Sequence, residues 1–211
     1  MKKLLIITSY VEYPVDISSR ISPDHHILCT DGGYDIAVKL GLRPDILVGD
    51  FDSIMSPVPG DIEIKRFNPE KDYTDLQLAL ETAVESGFDA VEIYGGMGGR
   101  LDHTVANLQI MSQYSDSFAH LTMFDGRNQC FILNGAPVSF SKIPRREGCY
   151  LSLFSLSESC IVTVSGVKYT LTDHLLTRSF PLGVSNEFCQ KEAALQVKDG
   201  TLLVVISKDA R

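Results

Sequence analysis

Residues 43–53 read RPDILVGDFDS, and this stretch joins a short apolar run to an acidic cluster. The run at 45–49 has the length and the Ile, Leu and Val content of a buried strand. In open α/β sheets, ligands bind where the strands end. Asp50 and Asp52, which come directly after the run, are therefore candidates for a functional site.

The alternation of apolar runs and helical patterns continues on both sides of this stretch. The helix at 74–86 has Thr74 and Gln77 at the spacing of a capping box, and Gly87 follows it. Such alternation predicts a mostly parallel sheet with helices on its faces. Strands are predicted at 4–8, 26–30, 45–49, 63–67, 91–94 and 121–124, and further helices at 34–40 and along the face of Leu101, Val105, Leu108 and Ser112.

From about residue 129 onward the pattern is rich in β-type runs. These runs lie at 131–133, 138–140, 150–154, 161–164, 193–197 and 202–206. Asp199 and Gly200, between the last two runs, form a hairpin signal. The predicted fold is thus an α/β domain at 1–127 followed by an all-β domain at 128–211, a small antiparallel sandwich or roll.

The composition limits the partners and the compartment. The formal net charge is -8 and no dense Lys/Arg run is present, so a nucleic-acid partner is not expected. The first apolar run is too short for a signal-peptide core, and no stretch approaches the roughly 20 apolar residues of a membrane span. The five cysteines are widely spaced without a C-x-x-C pair, which predicts reduced thiols in a cytoplasmic protein.

The acidic residues Asp50 and Asp52 form a candidate metal site. Side chains alternate along an extended chain, so both carboxylates are expected on one side of it. Close like charges repel, a divalent cation relieves the repulsion, and oxygen ligands suit Mg²⁺. Asp75, in the first turn of the 74–86 helix, is a candidate third ligand. A solvated turn at 50–52, and a favourable helix-dipole contact of about 0.3–1 kcal/mol at Asp75, are the alternatives.

The segment 95–103, GGMGGRLDH, lies between a predicted strand and a predicted helix. A glycine-rich strip at a helix N-terminus suits a polyphosphate, although the spacing matches neither a Walker A loop nor a dinucleotide fingerprint. Arg100 adds a fork of donors, and Lys71, just before the 74–86 helix, adds a point charge that can pair with phosphate. His103 either contacts a nucleotide or caps local structure.

Two shorter segments are ambiguous by themselves. The tripeptide DGG at 31–33 follows a predicted strand, where it is a plain turn or a place for the backbone to approach a phosphate. The segment GVSNEF at 183–188, taken alone, predicts a turn between strands.

Taken together, these segments resemble the thiamine pyrophosphokinase (thiamine diphosphokinase) family. The resemblance covers roughly residues 26–206 and rests on the joint order of DGG at 31–33, RPDILVGDFDS at 43–53, KDYTD at 71–75, GGMGGRLDH at 95–103, GVKY at 166–169 and GVSNEF at 183–188. It implies a cytoplasmic, homodimeric, Mg²⁺-dependent enzyme that transfers pyrophosphate from ATP to the thiamine hydroxyl, giving thiamine diphosphate and AMP. It also implies a nucleotide-binding catalytic domain at 1–127 and a thiamine-binding domain at 128–211.

The resemblance also implies roles for individual residues. Mg²⁺ would be held by Asp50, Asp52 and Asp75, which together with Arg100 would carry catalysis. ATP would be surrounded by Asp31, Gly32, Lys71, Thr74, Gly98, Gly99, Asp102 and His103. Thiamine would meet Ser185, Asn186 and, since the chain has no Trp, an aromatic ring that we assign to Phe188.

Two other functions stay open at this point. One is a pyrophosphokinase for another hydroxymethyl heterocycle, such as a pterin, against which the GVSNEF segment favours thiamine. The other is a non-catalytic regulator that binds a nucleotide or thiamine. The number of carboxylates at 31, 50, 52, 75 and 102 argues against a regulator, because binding anionic ATP alone does not require them.

Overall fold

A computed structural model describes residues 1–66 and 73–209 of the chain. The chain divides into two compact units, Met1–Gly126 and Arg127–Arg211, here called unit 1 and unit 2. Unit 1 combines helices with a parallel sheet, and unit 2 is built from antiparallel strands. Within the described ranges, no helix has the length and apolar character needed to cross a membrane.

Unit 1 follows the predicted alternation of strands and helices. In chain order its elements are β1 (Lys3–Ile7), a 3-10 turn (Ser18–Arg20), β2 (His25–Thr30), α1 (Gly33–Lys39), β3 (Ile46–Gly49), β4 (Glu63–Arg66), α2 (Asp75–Glu85), β5 (Ala90–Tyr94), α3 (Leu101–Tyr114) and β6 (His120–Phe124).

These six strands form a sheet in the order β6-β5-β1-β2-β3-β4, and every pairing in it is parallel. The predicted parallel sheet is therefore confirmed. After β4 the chain returns to the other side of β1 and forms β5, so the strand order reverses between β1 and β5. In sheets of this type, the crevice at the carboxyl ends beside such a reversal is where ligands bind.

Helix α2 begins and ends where the sequence places its signals. Thr74 caps α2, because its Oγ1 accepts a hydrogen bond from the backbone N of Gln77 at 3.3 Å. Gly87, with φ 67°, follows the end of the helix. On one face of the sheet, Tyr34 and Ala37 of α1 pack in the same buried cluster as the β1 residues.

Unit 2 is a sandwich of two layers, each with four antiparallel strands, as predicted. One layer has the strand order β12-β9-β14-β7 and the other the order β11-β10-β13-β8, and their apolar faces share one core. The strands are β7 (Asn128–Asn134), β8 (Ser139–Pro144), β9 (Cys149–Ser155), β10 (Ser159–Ser165), β11 (Leu171–Thr177), β12 (Gly183–Glu187), β13 (Glu192–Asp199) and β14 (Thr201–Lys208).

Two local predictions for unit 2 are wrong. Asp199 and Gly200 do not close a hairpin, because β13 pairs with β8 and β10 whereas β14 pairs with β7 and β9. The turn instead carries the chain from one sheet to the other, since turn chemistry fixes a reversal of direction but not the strands that pair. The segment 183–188 is also not a turn, because most of it forms the edge strand β12 against β9.

Candidate active site

A cavity of about 570 Å³ opens in unit 1 beside the carboxyl ends of β1 and β5, where the strand order reverses. Its volume falls within the range of small-molecule sites. It is lined by Thr8, Ser9, Tyr10, Thr30, Tyr73, Thr74, Asp75, Leu76, Gly96, Gly98, Gly99, Arg100, His103 and Asn107. The lining therefore combines an acidic helix start with the predicted glycine strip.

The carboxylates that follow β2 and β3 lie close to the one that begins α2. Burial, together with the neighbouring charges of Asp75 and Asp50, raises the pKa of Asp31 to about 6. Burial also raises the pKa of Asp75, as do the charges of Asp50 and Asp52, while its hydrogen bond with Asp31 acts in the opposite direction. Three separate segments thus bring four acidic side chains within electrostatic reach of one another.

The backbone at 50–52 is not extended, which corrects the predicted geometry. Phe51 has φ 68°, in the left-handed region, and its N donates a hydrogen bond to Asp31 Oδ1 at 3.1 Å. Asp52 N donates to Asp50 Oδ1 at 3.2 Å. A tight turn fixed by two aspartates therefore sets the positions of Asp50 and Asp52, where strand alternation had been expected to do so.

The acidic cluster fits a hard divalent cation by its chemistry. Its donors are carboxylate oxygens, and the mutual repulsion that raises the pKa of Asp31 and of Asp75 is relieved by a bound cation. Among the described residues, no three His, Cys, Asp or Glu side chains already converge as a metal-binding group. The donor set of the cluster is thus of the kind that a hard divalent cation prefers.

Arg100 and Asp102 form a bidentate ion pair at the start of α3. The Arg100 Nη2 to Asp102 Oδ2 distance is 2.6 Å and the Nε to Oδ1 distance is 3.2 Å. The guanidinium lowers the pKa of Asp102 to about 2. Because both side chains are exposed, the pair contributes little to stability, and a phosphate can replace Asp102 on Arg100. His103 lines the cavity, and its backbone N donates to Asp102 Oδ1.

The glycine strip at 95–99 lines the cavity with backbone N–H groups that have protein acceptors, and its predicted contact with a nucleotide stays a prediction. Its four glycines all have positive φ, and their backbone N–H groups are already donated to protein acceptors. These acceptors are Phe124 O for Gly95, Tyr10 O for Gly96, Thr104 Oγ1 for Gly98 and Glu12 Oε2 for Gly99. The strip therefore shapes the cavity wall, whereas its glycine N–H groups are not free to cradle a phosphate.

Residues 8–12 contribute to the site, although no sequence pattern pointed to them. Tyr10 lines the cavity, and Glu12 accepts hydrogen bonds from Gly99 N at 3.0 Å and from the Tyr10 hydroxyl. The hydrogen bond to Glu12 raises the pKa of Tyr10. Glu12 and Gly99 are 87 positions apart, and no local pattern signals a contact over such a separation.

The remaining predicted nucleotide residues are positioned as follows. Thr74 both caps α2 and lines the cavity. Gly32 is the N-cap residue of α1. Lys71 lies outside the described residues, so its predicted contact with phosphate stays a prediction. Asn107, which was not predicted, lines the cavity and donates from Nδ2 to Gly96 O at 2.8 Å.

In unit 2, the side chain of the buried Asn186 forms two hydrogen bonds with the main chain of Tyr169. Its Nδ2 donates to Tyr169 O at 2.7 Å, and its Oδ1 accepts from Tyr169 N at 3.0 Å. Ser185 beside it is exposed and has φ 58°. Phe188 is 8% exposed and packs in the hydrophobic core, so its ring does not lie at the surface of this unit. Tyr169, whose main chain Asn186 binds, is itself an exposed aromatic residue, at 65% exposure.

Comparison with known proteins identifies the family. Residues 18–123 match the family model described as thiamin pyrophosphokinase, catalytic domain, and residues 140–202 match the one described as thiamin pyrophosphokinase, vitamin B1 binding domain. The chain belongs to the thiamin pyrophosphokinase family. The resemblance inferred from the sequence segments is thereby confirmed.

Individual members of the thiamin pyrophosphokinase family are similar along nearly the whole chain. A thiamine pyrophosphokinase of Bacillus subtilis is 29% identical over 194 residues, which cover 88% of this chain and 90% of the relative. A crystal structure of thiamine pyrophosphokinase from Bacillus subtilis superposes with a TM-score of 0.88 at 25% identity, covering 98% of this chain and 99% of the other. That from Geobacillus thermodenitrificans gives a TM-score of 0.85 at 26% identity, covering 99% and 98%. The α/β unit followed by a β unit is therefore the fold of this family.

Proposed function

We propose that this chain transfers the pyrophosphate group of ATP to the hydroxyl of thiamine, giving thiamine diphosphate and AMP. The observation that carries the proposal is the crowded carboxylate cluster of Asp31, Asp50, Asp52 and Asp75 beside the 570 Å³ cavity that Arg100 also lines. Transfer of phosphoryl-type groups depends on positioning the reactants and on neutralising their charge. Carboxylates that could hold a cation and the cationic side chain of Arg100 both lie at this cavity. The family match supports ATP and thiamine as the substrates.

Asp50, Asp52 and Asp75 are the residues that would hold Mg²⁺. When bound, the ion supplies charge neutralisation to the phosphate oxygens and polarises the phosphorus that is attacked. Asp31 supports this set, because it accepts from Phe51 N and hydrogen-bonds Asp75. It thereby holds the 50–52 turn and the start of α2 near each other.

The cationic side chains complete the phosphate site. Arg100 exchanges Asp102 for phosphate oxygens and keeps its bidentate geometry in doing so. Lys71 adds a second positive charge by its position just before α2. The thiamine hydroxyl then attacks the β-phosphorus, the bond from that phosphorus to the oxygen bridging the α-phosphate breaks, and AMP leaves. The hydroxyl proton passes to a carboxylate of the cluster.

Unit 2 supplies residues for thiamine in this proposal. The segment matched by the vitamin B1 binding model contains Tyr169, Ser185 and Asn186. Asn186 acts by fixing the main chain of Tyr169, while Ser185 offers an exposed hydroxyl. We further expect a homodimeric, cytoplasmic enzyme without a nucleic-acid or membrane partner, in keeping with the net charge of -8.

A substrate panel tests the function and its two alternatives. The protein is incubated with ATP and Mg²⁺ and with either thiamine or a hydroxymethyl pterin at equal concentration. Pyrophosphorylated thiamine is the expected product, and EDTA should abolish its formation. Conversion of the pterin in place of thiamine would make the chain a pyrophosphokinase of another substrate. Calorimetric binding of ATP or thiamine without turnover of either would identify a regulator.

A further inference from the structure

The segment that follows β1 lies against the glycine strip and is not used in the proposed reaction. This segment, residues 8–12 (TSYVE), is called the strap. Gly96 N donates to Tyr10 O at 3.0 Å, and Thr8 Oγ1 donates to the same carbonyl oxygen at 3.1 Å. The strap and the strip are thus joined through the main chain at the centre of the strap.

Glu12 makes the second junction between the two segments. Its Oε2 accepts from Gly99 N at 3.0 Å, and the Tyr10 hydroxyl donates to the same oxygen. Hydrogen bonds to an ionised carboxylate are stronger than those between neutral groups. Glu12 therefore holds the strip at Gly99, directly before Arg100.

The strap packs against Gly98 and Gly99 so closely that neither position has room for a side chain. A Cβ at Gly98 would lie 2.6–2.9 Å from atoms of the Glu12 side chain, and one at Gly99 would lie 2.8 Å from Tyr10 Cζ. Both positions also have positive φ, at 83° and 59°. Close packing by the strap thus accounts for glycine at 98 and 99 without reference to a phosphate.

Glu12 acts on the cavity through its neighbours. Tyr10, Gly98, Gly99 and Arg100 are among the residues that line the cavity, whereas Glu12 is not among the described residues that do so. Its carboxylate takes up the Gly99 N–H, which is then not available to a ligand. The Glu12–Gly99 hydrogen bond thus holds the glycine wall of the cavity from the side away from the ligand. It also fixes the backbone position from which the Arg100 side chain extends.

We infer that Glu12 is a positioning residue for the nucleotide, acting through Gly99 and Arg100. The inference rests on the proposed function for the identity of the nucleotide, and it assigns Glu12 no contact with substrate. Loss of the carboxylate frees Gly99 and lets the wall and Arg100 shift. Misplacement of about 1 Å can cost up to about 100-fold in rate or affinity, so a partial shift is expected to weaken nucleotide binding roughly tenfold.

Three variants test the inference. Glu12→Ala removes both hydrogen bonds, Glu12→Gln keeps an oxygen that can accept from Gly99 N, and Glu63→Ala removes an exposed glutamate at the start of β4 as a control of equal charge. Binding of Mg²⁺ with α,β-methylene-ATP, which cannot be cleaved between those phosphates, is measured by calorimetry. KM for ATP, KM for thiamine, kcat and Tm are measured in parallel.

For Glu12→Ala, the dissociation constant of the analogue and KM for ATP should rise roughly tenfold. KM for thiamine should stay close to the wild-type value, and Tm should fall modestly because two hydrogen bonds to the carboxylate are lost. Glu12→Gln should recover most of the nucleotide affinity, and Glu63→Ala should match the wild type. This separation between the two KM values is one that a general loss of folding would not produce.

Unchanged or tighter binding of the analogue by Glu12→Ala would overturn the inference, since the carboxylate would then be competing with phosphate or doing nothing. A parallel rise in both KM values with a fall in Tm would also overturn it, in favour of a purely structural role. A wild-type protein that binds the analogue but forms no thiamine diphosphate would refute the proposed function alone. The calorimetric comparison would still decide the role of Glu12.

Discussion

Asp31 and Gly49 are packed so closely that position 49 has no room for a side chain. A Cβ at Gly49 would lie 1.9 Å from Asp31 Oδ1, and the glycine has φ 146°. The side chain of Asp31 reaches over the end of β3 because of this gap, and there it accepts from Phe51 N. The glycine that ends the strand is thus part of the carboxylate cluster.

Replacing Gly49 with Ala should therefore damage the site more than the fold. The methyl group displaces Asp31, releases Phe51 N and separates the carboxylates, so turnover is expected to fall at least tenfold. Gly41→Ala is the matched control, because Gly41 also has positive φ, at 69°, but nothing lies within 4 Å of its missing Cβ. That control should cost about 1–2 kcal/mol of unfolding free energy and leave turnover unchanged. Equal turnover in the two variants would refute the role of the Asp31–Gly49 contact.

Asp52→Asn should keep the fold and weaken the metal site. The change removes one charge from the cluster while keeping the side-chain shape. Apparent Mg²⁺ affinity, measured from the dependence of turnover on Mg²⁺ concentration, should fall by at least the order of 10–100-fold that loss of an outer-shell partner causes. Asp61→Asn, which removes an exposed carboxylate paired with Arg43, is the control. Wild-type Mg²⁺ dependence in Asp52→Asn would remove Asp52 from the proposed ligand set.

Asp35 should make the unfolding free energy depend on pH in acid. A hydrogen bond from the Ser56 side chain lowers the pKa of its carboxylate, and so do the backbone hydrogen bonds from Met55 N at 2.9 Å and from Ser56 N at 2.8 Å. The folded-state pKa is below the unfolded one, so the stabilisation is present above the unfolded pKa and is lost as the pH falls through the folded pKa.

Urea unfolding of Asp35→Ala and of the wild type, compared from pH 7 to pH 3, checks this pH dependence. Asp35→Ala should have a lower unfolding free energy than the wild type at neutral pH. The difference between the two unfolding free energies should become smaller as the pH falls. Glu63→Gln, at an exposed glutamate, should show no such change in its difference from the wild type. If the unfolding free energy of Asp35→Ala were lower than that of the wild type by the same amount from pH 7 to pH 3, Asp35 would not be the source of the pH dependence.

Replacing Asn186 should mainly lower stability, whereas replacing Ser185 should mainly weaken thiamine binding. Asn186→Ala removes two hydrogen bonds and leaves the main chain of Tyr169 unpaired there, at an expected cost of about 1–3 kcal/mol. Ser185→Ala removes an exposed hydroxyl and should raise KM for thiamine without a change in Tm. Steady-state kinetics and thermal unfolding of both variants check this. A fall in Tm for Ser185→Ala equal to that for Asn186→Ala would contradict the separate roles.

The sequence predicted the elements of unit 1 well because their signals are local. The cap at Thr74, the stop at Gly87 and the apolar strand at 45–49 each depend on neighbours a few positions away. The strand β11, LTDHLLT, was missed because polar residues interrupt its apolar pattern. The pairing of β13 and β14 was mistaken because partners in a sandwich are chosen by the packing of whole sheets, which a turn does not encode.

For the site, the sequence indicated the acidic residues but not how they are held. Asp31, Asp50, Asp52 and Asp75 stand out by type and by their place after strands. The left-handed Phe51, and the contact of Glu12 with Gly99, depend on long-range hydrogen bonds that no short pattern reports. Phe188 was chosen for its aromatic ring, but it follows β12 directly, bridges to Val167 and is buried in the core.

Phosphorus NMR of the reaction mixture tests the central claim most directly. The wild-type protein is incubated with ATP, Mg²⁺ and thiamine, and the phosphorus species are followed with time. The account predicts one AMP for each thiamine diphosphate, with no ADP, because the β-phosphorus is the one attacked. Formation of ADP with thiamine monophosphate, or the absence of any phosphorylated thiamine from a protein that binds both substrates, would contradict it.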